Sequence, residues 1–350
     1  MKKSNKVFYF ISVVVLALAI LTSGLALTNN TAIAADKVIK WKCQSHWPTA
    51  SSSYKDSLLV IAEKLKTRTN GRLIIEPFPA GSLVPSKEIF NAVKRGMIEM
   101  GTGSPAYIRD QISIAGIAAG LPFAFKDVWE CVYFHKFLGF EKMMRDATAK
   151  HGVYYSTDKI YPTELVLTKP VKTFADFKGL KLRSSGVLQL FLSSIGAAAS
   201  YLPGAEVYPS LASGVIDGAH WGAAQGANSM GLYEVCKYHL KPGLNIAGTD
   251  AWVVNQKAID RLPKDIREIF LWTLEEHFWK RTNQYIYLEA ITLAKVVKEK
   301  GIKVITLPPE EQKKMSEVAM KMWEKEGEKS PEAAKALKIL KDFLRSLGHI

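Results

Sequence analysis

The sequence predicts an α/β protein that is built from two α/β units and one long helix. Short apolar runs alternate with helical patterns from residue 38 to residue 101, and the same alternation returns from residue 165. A segment without glycine or proline, residues 264–300, follows the second unit. Alternating strands and helices favour sheets with parallel pairings whose faces are covered by helices.

The first 34 residues have the pattern of an export signal. Three lysines precede an uncharged apolar run over residues 7–27, and the small-residue site Ala32-Ile33-Ala34 follows. This order is typical of a cleaved signal peptide, so we expect a periplasmic protein that is cleaved after about Ala34. An uncleaved anchor helix is the alternative, because the apolar run approaches the roughly 20 residues that span a bilayer.

The composition argues against several classes of protein. The 47 Lys and Arg residues outnumber the 33 Asp and Glu residues, and the formal charge of +14 falls to +11 without the three signal lysines. Because the basic residues are scattered among acids, we expect no nucleic-acid partner. Cys43, Cys131 and Cys236 are too few for a disulfide framework and are expected to be buried, which leaves a disulfide between one pair open.

The first unit is predicted to run strand, helix, strand, helix, strand. Apolar residues recur at helical spacing in two segments, and Asn70-Gly71 and Gly96 provide the stops. The strands are predicted over residues 38–44, 72–78 and 97–101, and the helices over residues 58–65 and 86–95.

The second unit and the C-terminal part follow the same logic. Strands are predicted over residues 180–183 and 215–219, and a further strand over residues 251–255 indicates that the chain crosses back to the first unit. As one helix, residues 264–300 would be roughly 55 Å long; two helices with a bend are the alternative. A strand over residues 302–307 and Lys/Glu-rich helices complete the chain.

Motifs of catalysis and cofactor binding are missing from the sequence. There is no GxSxG, HExxH, Walker A or CxxC motif, and the seven histidines are scattered. Residues 101–106 match GxGxxA, but a proline in the fifth position makes a poor helix start for a dinucleotide site. We therefore expect no enzyme, no cofactor and no metal site.

Five segments together resemble one protein family. They are FPAGSLVP (78–85), LPFAF (121–125), FADFKGLKLRSSG (174–186), YLPGAEVYPSLASGVIDGAHWG (201–222) and VVNQKAIDRLP (253–263). In this order and spacing they resemble the periplasmic solute-binding proteins of TRAP (tripartite ATP-independent periplasmic) transporters, in particular the branch that binds 2-oxo acids and other monocarboxylates.

The resemblance implies a two-domain periplasmic binding protein fold with an interdomain cleft, hinge strands and a long helix that spans both domains. The first domain is expected to comprise residues 35–161 and 250–300, and the second residues 162–249 and 301–350. A receptor of this kind captures a small organic carboxylate (2-oxo, 2-hydroxy or aromatic) and delivers it to the TRAP membrane permease subunits. The alternatives are a ligand-sensing module for a signalling partner and an exported enzyme. The C-terminal helices are a candidate surface for a homodimer.

The resemblance also assigns residues to the ligand. Arg183 matches the family's arginine that binds the ligand carboxylate, a role that suits the paired donors of a guanidinium. Asp217 matches the family motif too, but its place at a strand end predicts a structural role. His220 and Trp221 are expected to face the cleft, where Trp221 either forms a wall for the ligand or belongs to the core.

His220 marks a departure from the 2-oxo-acid branch. In those relatives the corresponding pair resembles Glu-Trp, and a cation bridges ligand and protein. Imidazole is a poor ligand for Na⁺ or Ca²⁺, so we expect no cation. We expect instead a hydrogen bond from His220 to the ligand and an affinity that changes over the pH range in which histidine titrates.

Further candidates are expected near strand ends. His46 and Trp47 follow the first strand and Tyr107 follows the third, where ligands gather in open α/β sheets. Glu164 precedes the strand that enters the second domain, and it could accept a hydrogen bond from a hydroxyl or an amine. Tyr208 lies in the first turn of a helix, where a capping role is the alternative.

Overall fold

Two mixed β-sheets covered by helices make up the part of the chain that the structure describes, residues 38–350 without the side chain of Ala247. The structure is a computed structural model. The predicted signal peptide lies outside the described residues. Among residues 38–350, no helix is both long enough and apolar enough to cross a membrane.

The first sheet has five strands in the order β2-β1-β3-β10-β4. Strand β1 (Ile39–Gln44) pairs in parallel with β2 (Leu73–Phe78) and with β3 (Met100–Gly103). Strand β10 (Asn245–Asn255) runs antiparallel to β3 and to β4 (Val153–Thr163). The predicted sheet with parallel pairings is therefore confirmed, with two antiparallel partners added.

Helices on both faces of this sheet complete what we call the first lobe. Its α-helices and shorter helical turns are a π-helical turn (Tyr54–Leu59) leading into α1 (Val60–Arg68), a 3₁₀ turn (Ser86–Glu88) leading into α2 (Ile89–Lys94), a 3₁₀ turn (Pro105–Ile108), α3 (Ala115–Ala118), α4 (Val128–Lys136) and α5 (Phe140–Ala149). The predicted stop of the first helix is confirmed, because Asn70 and Gly71 both have positive φ angles, of 51° and 79°.

The second sheet has six strands in the order β11-β9-β5-β8-β6-β7, and with its helices it forms the second lobe. Its strands are β5 (Leu165–Leu167), β6 (Lys181–Arg183), β7 (Ala198–Ser200), β8 (Gly218–His220), β9 (Tyr238–Lys241) and β11 (Lys303–Thr306). Its helices are a 3₁₀ turn (Phe174–Phe177), α6 (Gly186–Ser194), α7 (Gly204–Ala212), α8 (Ala224–Ser229) and a second 3₁₀ turn (Leu232–Glu234). Strands β6, β7 and β8 pair in parallel, as the pattern predicted.

Two strand crossings connect the sheets. The chain passes from β4 through Glu164 into β5, and it returns from β9 into β10. Strand β10 begins at Asn245, six residues before the predicted start, because Asn245 still pairs with Thr163 at the far end of β4. The predicted return of the chain to the first sheet is confirmed.

One continuous helix of 37 residues, α10 (Lys264–Lys300), follows the short helix α9 (Gln256–Asp260). Its first half buries Phe270 and Leu274 in the core of the first sheet, and its last turns bury Val296 in a core of the second lobe. Gly301 ends the helix with a positive φ of 64°. The long helix that spans both lobes is therefore confirmed, and the bent alternative is wrong.

The C-terminal helices α11 (Pro309–Gly327) and α12 (Pro331–Ser346) pack against both lobes. Phe343 of α12 stacks on Tyr133 of α4 with ring centroids 5.5 Å apart. Residues 301–350 were expected to belong to the second domain, and this packing runs across that boundary. The exact domain limits stay a prediction.

Candidate functional site

A cavity lies between the two lobes, at the carboxyl ends of the parallel strands. Its empty space is about 730 Å³, counting the part that opens to solvent. Both lobes line it, and the two crossing strands form its back through Thr163, Asn245 and Asp250. Six of the eight residues predicted for the ligand line this cavity: His46, Trp47, Tyr107, Arg183, His220 and Trp221.

Arg183 is the last residue of β6 and is 3% exposed. Its Nη1 donates to the carbonyl of His220 at 2.7 Å, and its Nε donates to the carbonyl of Leu202 at 3.1 Å. The guanidinium lies between two rings, with its Cζ 4.9 Å from the ring centroid of Trp221 and 5.7 Å from that of Tyr201. Since a guanidinium has five N–H donors, about three remain for a ligand. The side chain is thus held in place and still able to bind an anion.

His220 is the last residue of β8, the strand next to the one that ends at Arg183. Its Nδ1 lies 3.0 Å from the hydroxyl of Ser184. Burial, together with the positive charge of Arg183, lowers the pKa of His220 to about 3. A histidine with this pKa stays neutral between pH 5 and 8. The expected change of affinity with pH stays a prediction, because a bound carboxylate beside the imidazole would raise the pKa of His220 again.

Trp221 contacts Arg183 on one side and the start of α7 on the other. A Cβ atom at Gly204 would come within 2.4 Å of the Trp221 ring, so only glycine fits beneath the indole without movement. Trp221 also lines the cavity. It supports the guanidinium and offers an apolar wall at the same time.

A buried charge network forms the first-lobe side of the cavity. Asp250 of β10 stands opposite Lys159 of β4 in the antiparallel register, and its Oδ2 lies 2.6 Å from the Lys159 Nζ. The Asp250 Oδ1 lies 3.2 Å from Nε2 of His46, whose Nδ1 is 2.8 Å from the Thr102 hydroxyl. Asp158 adds a second carboxylate at 3.0 Å from the same ammonium.

The network keeps both carboxylates ionised. Burial alone would raise the pKa of Asp250, but the ammonium of Lys159 and the neighbouring His46 outweigh it and lower the pKa to about 2. Burial opposes the ionisation of Asp158 as well, and the charge of Lys159 and contact with His277 hold its pKa well below the usual range. The cavity therefore faces one fixed positive group, Arg183, and one fixed negative group, Asp250.

The sequence did not identify Asp158, Lys159 and Asp250 as residues of this site. A signal was present, since Asp158 and Lys159 are adjacent charged residues in the middle of β4, and both are fully buried. Tyr201 was missed too. Its ring packs edge-on against Tyr107 at 5.6 Å and lies 3.9 Å from the Nζ of Lys87, which belongs to the first lobe.

Glu164 and Tyr208, the other two predicted ligand residues, lie outside the cavity lining. Glu164 is buried behind it, where His239 and Lys241 bind its carboxylate. The hydroxyl of Tyr208 donates to Glu234 at 2.8 Å on the outside of the second lobe. Asp217 has the structural role predicted for it, because it accepts from the backbone N–H of Lys181 at 3.0 Å.

One group of acidic and histidine side chains in the described part of the chain has the spacing of a metal site: Glu164, His239 and Glu289. Lys241 already supplies a positive charge there, since it contacts Glu164 and lies 3.9 Å from Oε1 of Glu289. The two oxygens of Glu289 also accept from the backbone N–H groups of Ala224 and Gln225 at 2.7 and 2.8 Å. The group links the long helix to the second lobe. The three cysteines are free and buried, as expected.

Comparison with known proteins gives consistent matches over most of the chain. The family described as bacterial extracellular solute-binding protein, family 7, matches residues 44–330. A curated relative from Nostoc sp., a monocarboxylate 2-oxoacid-binding periplasmic protein, is 27% identical and covers 86% of this chain and 83% of its own length.

Solved structures of the same fold match as well. A TRAP periplasmic solute-binding protein from Pseudoalteromonas atlantica, with bound sodium and pyruvate, has a TM-score of 0.82 at 23% identity, and the match covers 89% of this chain and 95% of that chain. An extracytoplasmic solute receptor from Bordetella pertussis that binds pyroglutamic acid has a TM-score of 0.79 at 18% identity, with 87% and 100% covered. At these identities the likeness establishes the two-lobed fold.

Proposed function

Since the chain belongs to family 7 of the bacterial extracellular solute-binding proteins, we propose that it is the receptor of a TRAP transporter. It captures a small organic carboxylate between its lobes and delivers it to the membrane permease subunits. The observation that carries this proposal is Arg183, a buried guanidinium that two backbone carbonyls hold in the wall of the interlobe cavity. A buried guanidinium with free donors suits a carboxylate better than any neutral group.

Closure of the lobes on the ligand is part of the proposal. The lobes already touch each other, since Lys87 lies over the ring of Tyr201 and the backbone N–H of Ser52 donates to the hydroxyl of Ser229 at 3.1 Å. The two crossing strands are the connections that can hinge. Small-angle scattering should show a smaller radius of gyration with ligand than without it.

We also propose that binding needs no alkali or alkaline-earth cation. Hard cations prefer several carboxylate or carbonyl oxygens. Among the described residues of the cavity lining, Asp250 supplies the carboxylate, and Lys159 already neutralises it. His220 precedes Trp221 at the position where the 2-oxo-acid relatives are expected to carry an acid.

The remaining expectations concern location and assembly. Membership of an extracellular family supports export of the chain, and cleavage after about Ala34 stays a prediction because residues 1–37 lie outside the described part. The relatives are named as binding proteins, which favours a transport receptor over an exported enzyme or a sensing module. The homodimer through the C-terminal helices also stays a prediction, which sedimentation of the purified protein would test.

A thermal-shift series with matched ligand pairs tests the proposed function. Small monocarboxylic acids are compared with their primary amides, which have nearly the same shape without the charge. At least one acid should raise the Tm by mass action, and its amide should not. Equal shifts for an acid and its amide, or no shift with any acid, would contradict the proposal.

A further inference from the structure

The cavity presents a second fixed charge whose role carboxylate binding alone does not explain. Asp250 lines the cavity from the first lobe, and Arg183 lines it from the second. A ligand carboxylate satisfies Arg183, whereas Asp250, although it is paired with Lys159, offers oxygens that only accept hydrogen bonds. The cavity therefore favours a ligand that places a hydrogen-bond donor at Asp250.

Asp250 can only accept hydrogen bonds. It is 1% exposed, and its two oxygens are held by Lys159 at 2.6 Å and His46 at 3.2 Å. The hydroxyl of Tyr161 is also within hydrogen-bonding reach of this carboxylate. An ionised carboxylate accepts about four hydrogen bonds, so roughly one acceptor position remains.

The hydroxyl groups of two threonines in the same part of the wall are not directed at Asp250. The hydroxyl of Thr163 donates to the carbonyl of Asn245 at 3.0 Å, and the hydroxyl of Thr249 donates to the carbonyl of Ala118. Their hydrogens are therefore directed at the backbone. This part of the wall favours a ligand group that brings its own hydrogen.

We infer that the ligand carries a hydrogen-bond donor (a hydroxyl, an amide N–H or an ammonium) next to its carboxylate, and that Asp250 accepts from this donor while Arg183 binds the carboxylate. The inference rests on the proposed function and narrows its ligand class. A 2-oxo acid offers only acceptors at the neighbouring carbon, so its oxygen would face the lone pairs of Asp250. Leaving such buried polar groups unpaired weakens binding by roughly five- to a hundredfold.

Two matched ligand series test the inference by calorimetric titration of protein that has been unfolded, dialysed and refolded to remove bound solutes. The three-carbon series is lactate, alanine and pyruvate, and the branched series is 2-hydroxy-3-methylbutanoate, valine and 2-oxo-3-methylbutanoate. In the better-binding series, the hydroxy or amino member should bind roughly five- to a hundredfold more tightly than the 2-oxo member. Each titration is run with chelator and again with added calcium and sodium.

Two variants identify the responsible carboxylate. Asp250→Asn can present an amide N–H to a ligand oxygen. The ratio of the affinity for the hydroxy or amino member to the affinity for the 2-oxo member should therefore fall towards one. Glu141→Gln removes another buried carboxylate of the first lobe, one that Lys136 binds at 2.6 Å outside the cavity lining, and it should keep the wild-type preference even if the protein is less stable. Circular dichroism confirms that each variant is folded before titration.

The outcomes separate the two levels of the proposal. Binding of the 2-oxo member as tightly as the donor-bearing members, with or without added cation, would overturn the inference and leave the carboxylate receptor intact. An unchanged preference in folded Asp250→Asn would also overturn it. Failure of every acid in both series, alongside tight binding of a solute without a carboxylate, would overturn both the receptor proposal and the inference.

Discussion

Replacement of Arg183 by alanine should abolish high-affinity ligand binding. Arg183 is 3% exposed in the cavity wall, so the pair that its guanidinium forms with a carboxylate would be largely shielded from water. Truncating one partner of such a desolvated pair costs roughly 2–5 kcal/mol. At about 1.4 kcal/mol for each factor of ten, the Kd should rise roughly thirtyfold to several thousandfold. Arg183→Lys keeps the charge but loses the forked geometry, so its Kd should lie between those of the wild type and Arg183→Ala.

The same change should also lower the stability, which the experiment must separate from binding. Alanine removes the donors that Arg183 provides to the carbonyls of Leu202 and His220, and an unpaired buried acceptor costs about 1–3 kcal/mol. Circular dichroism and thermal unfolding show whether the variant is folded at the titration temperature. Isothermal titration calorimetry with the best acid from the thermal-shift series then gives the Kd.

Arg145→Ala is the matched control for this prediction. The Nε of Arg145 donates to the carbonyl of Tyr155 at 3.1 Å, and its Cζ lies 4.9 Å from the ring centroid of Tyr154. Arg145 thus makes the same kinds of contact as Arg183 but outside the cavity lining. Its loss should affect stability and leave the Kd unchanged. A folded Arg183→Ala protein with wild-type affinity, or an equal loss in Arg145→Ala, would refute the reasoning.

Three further changes probe the surroundings of the site. The folded-state pKa of His220 is lowered to about 3, so below pH 6.5 the unfolded chain binds a proton that the folded chain does not. The free energy of unfolding should therefore fall by about 1 kcal/mol per pH unit as the pH drops from 6.5 to 5. The fall should be smaller in His220→Gln. Equal pH slopes in urea unfolding would contradict this. Lys159→Met removes the cation between two buried carboxylates and should lower the free energy of unfolding by roughly 3–5 kcal/mol in the same assay, whereas a loss below about 1 kcal/mol would show that the carboxylates are compensated elsewhere. Gly204→Ala would place a Cβ 2.4 Å from the ring of Trp221, so it should weaken ligand binding several-fold in calorimetry, although alanine is the better helix former. The control is Gly103→Ala, whose Cβ would meet nothing within 4 Å. Equal ligand affinities of the two variants would show that Trp221 adjusts freely.

The periodicity of the sequence predicted most of the fold, and its errors have a common cause. The strands predicted over residues 97–101 and 215–219 actually span Met100–Gly103 and Gly218–His220. The apolar residues that began those predictions, Met97 and Val215, are both 58% exposed in turns. Apolar composition marks a strand only where the residues are also buried, and burial depends on the packing of distant segments.

The candidate site could be predicted only where a motif or a strand end marks it. Arg183 ends a short buried strand within a segment that resembles the family, and it lines the cavity. The Lys159–Asp250 pair joins residues that are 91 positions apart, and it depends on the register of β4 and β10, which shifts at two irregularities. No local pattern gives such a register. For the same reason, the sequence placed Glu164 next to the strand that enters the second lobe, but it could not show whether its side chain lies in the cavity wall or behind it.

The identity of the solute that the protein carries tests the central claim most directly. The purified wild-type protein and Arg183→Ala are denatured, and the small molecules released from each are quantified by mass spectrometry against the protein concentration. We expect a small carboxylic acid in near-equimolar amount from the wild type and little or none from the folded variant. A wild-type solute without a carboxylate, or the same acid in equal amount from both proteins, would contradict the assignment of Arg183 and of the ligand class.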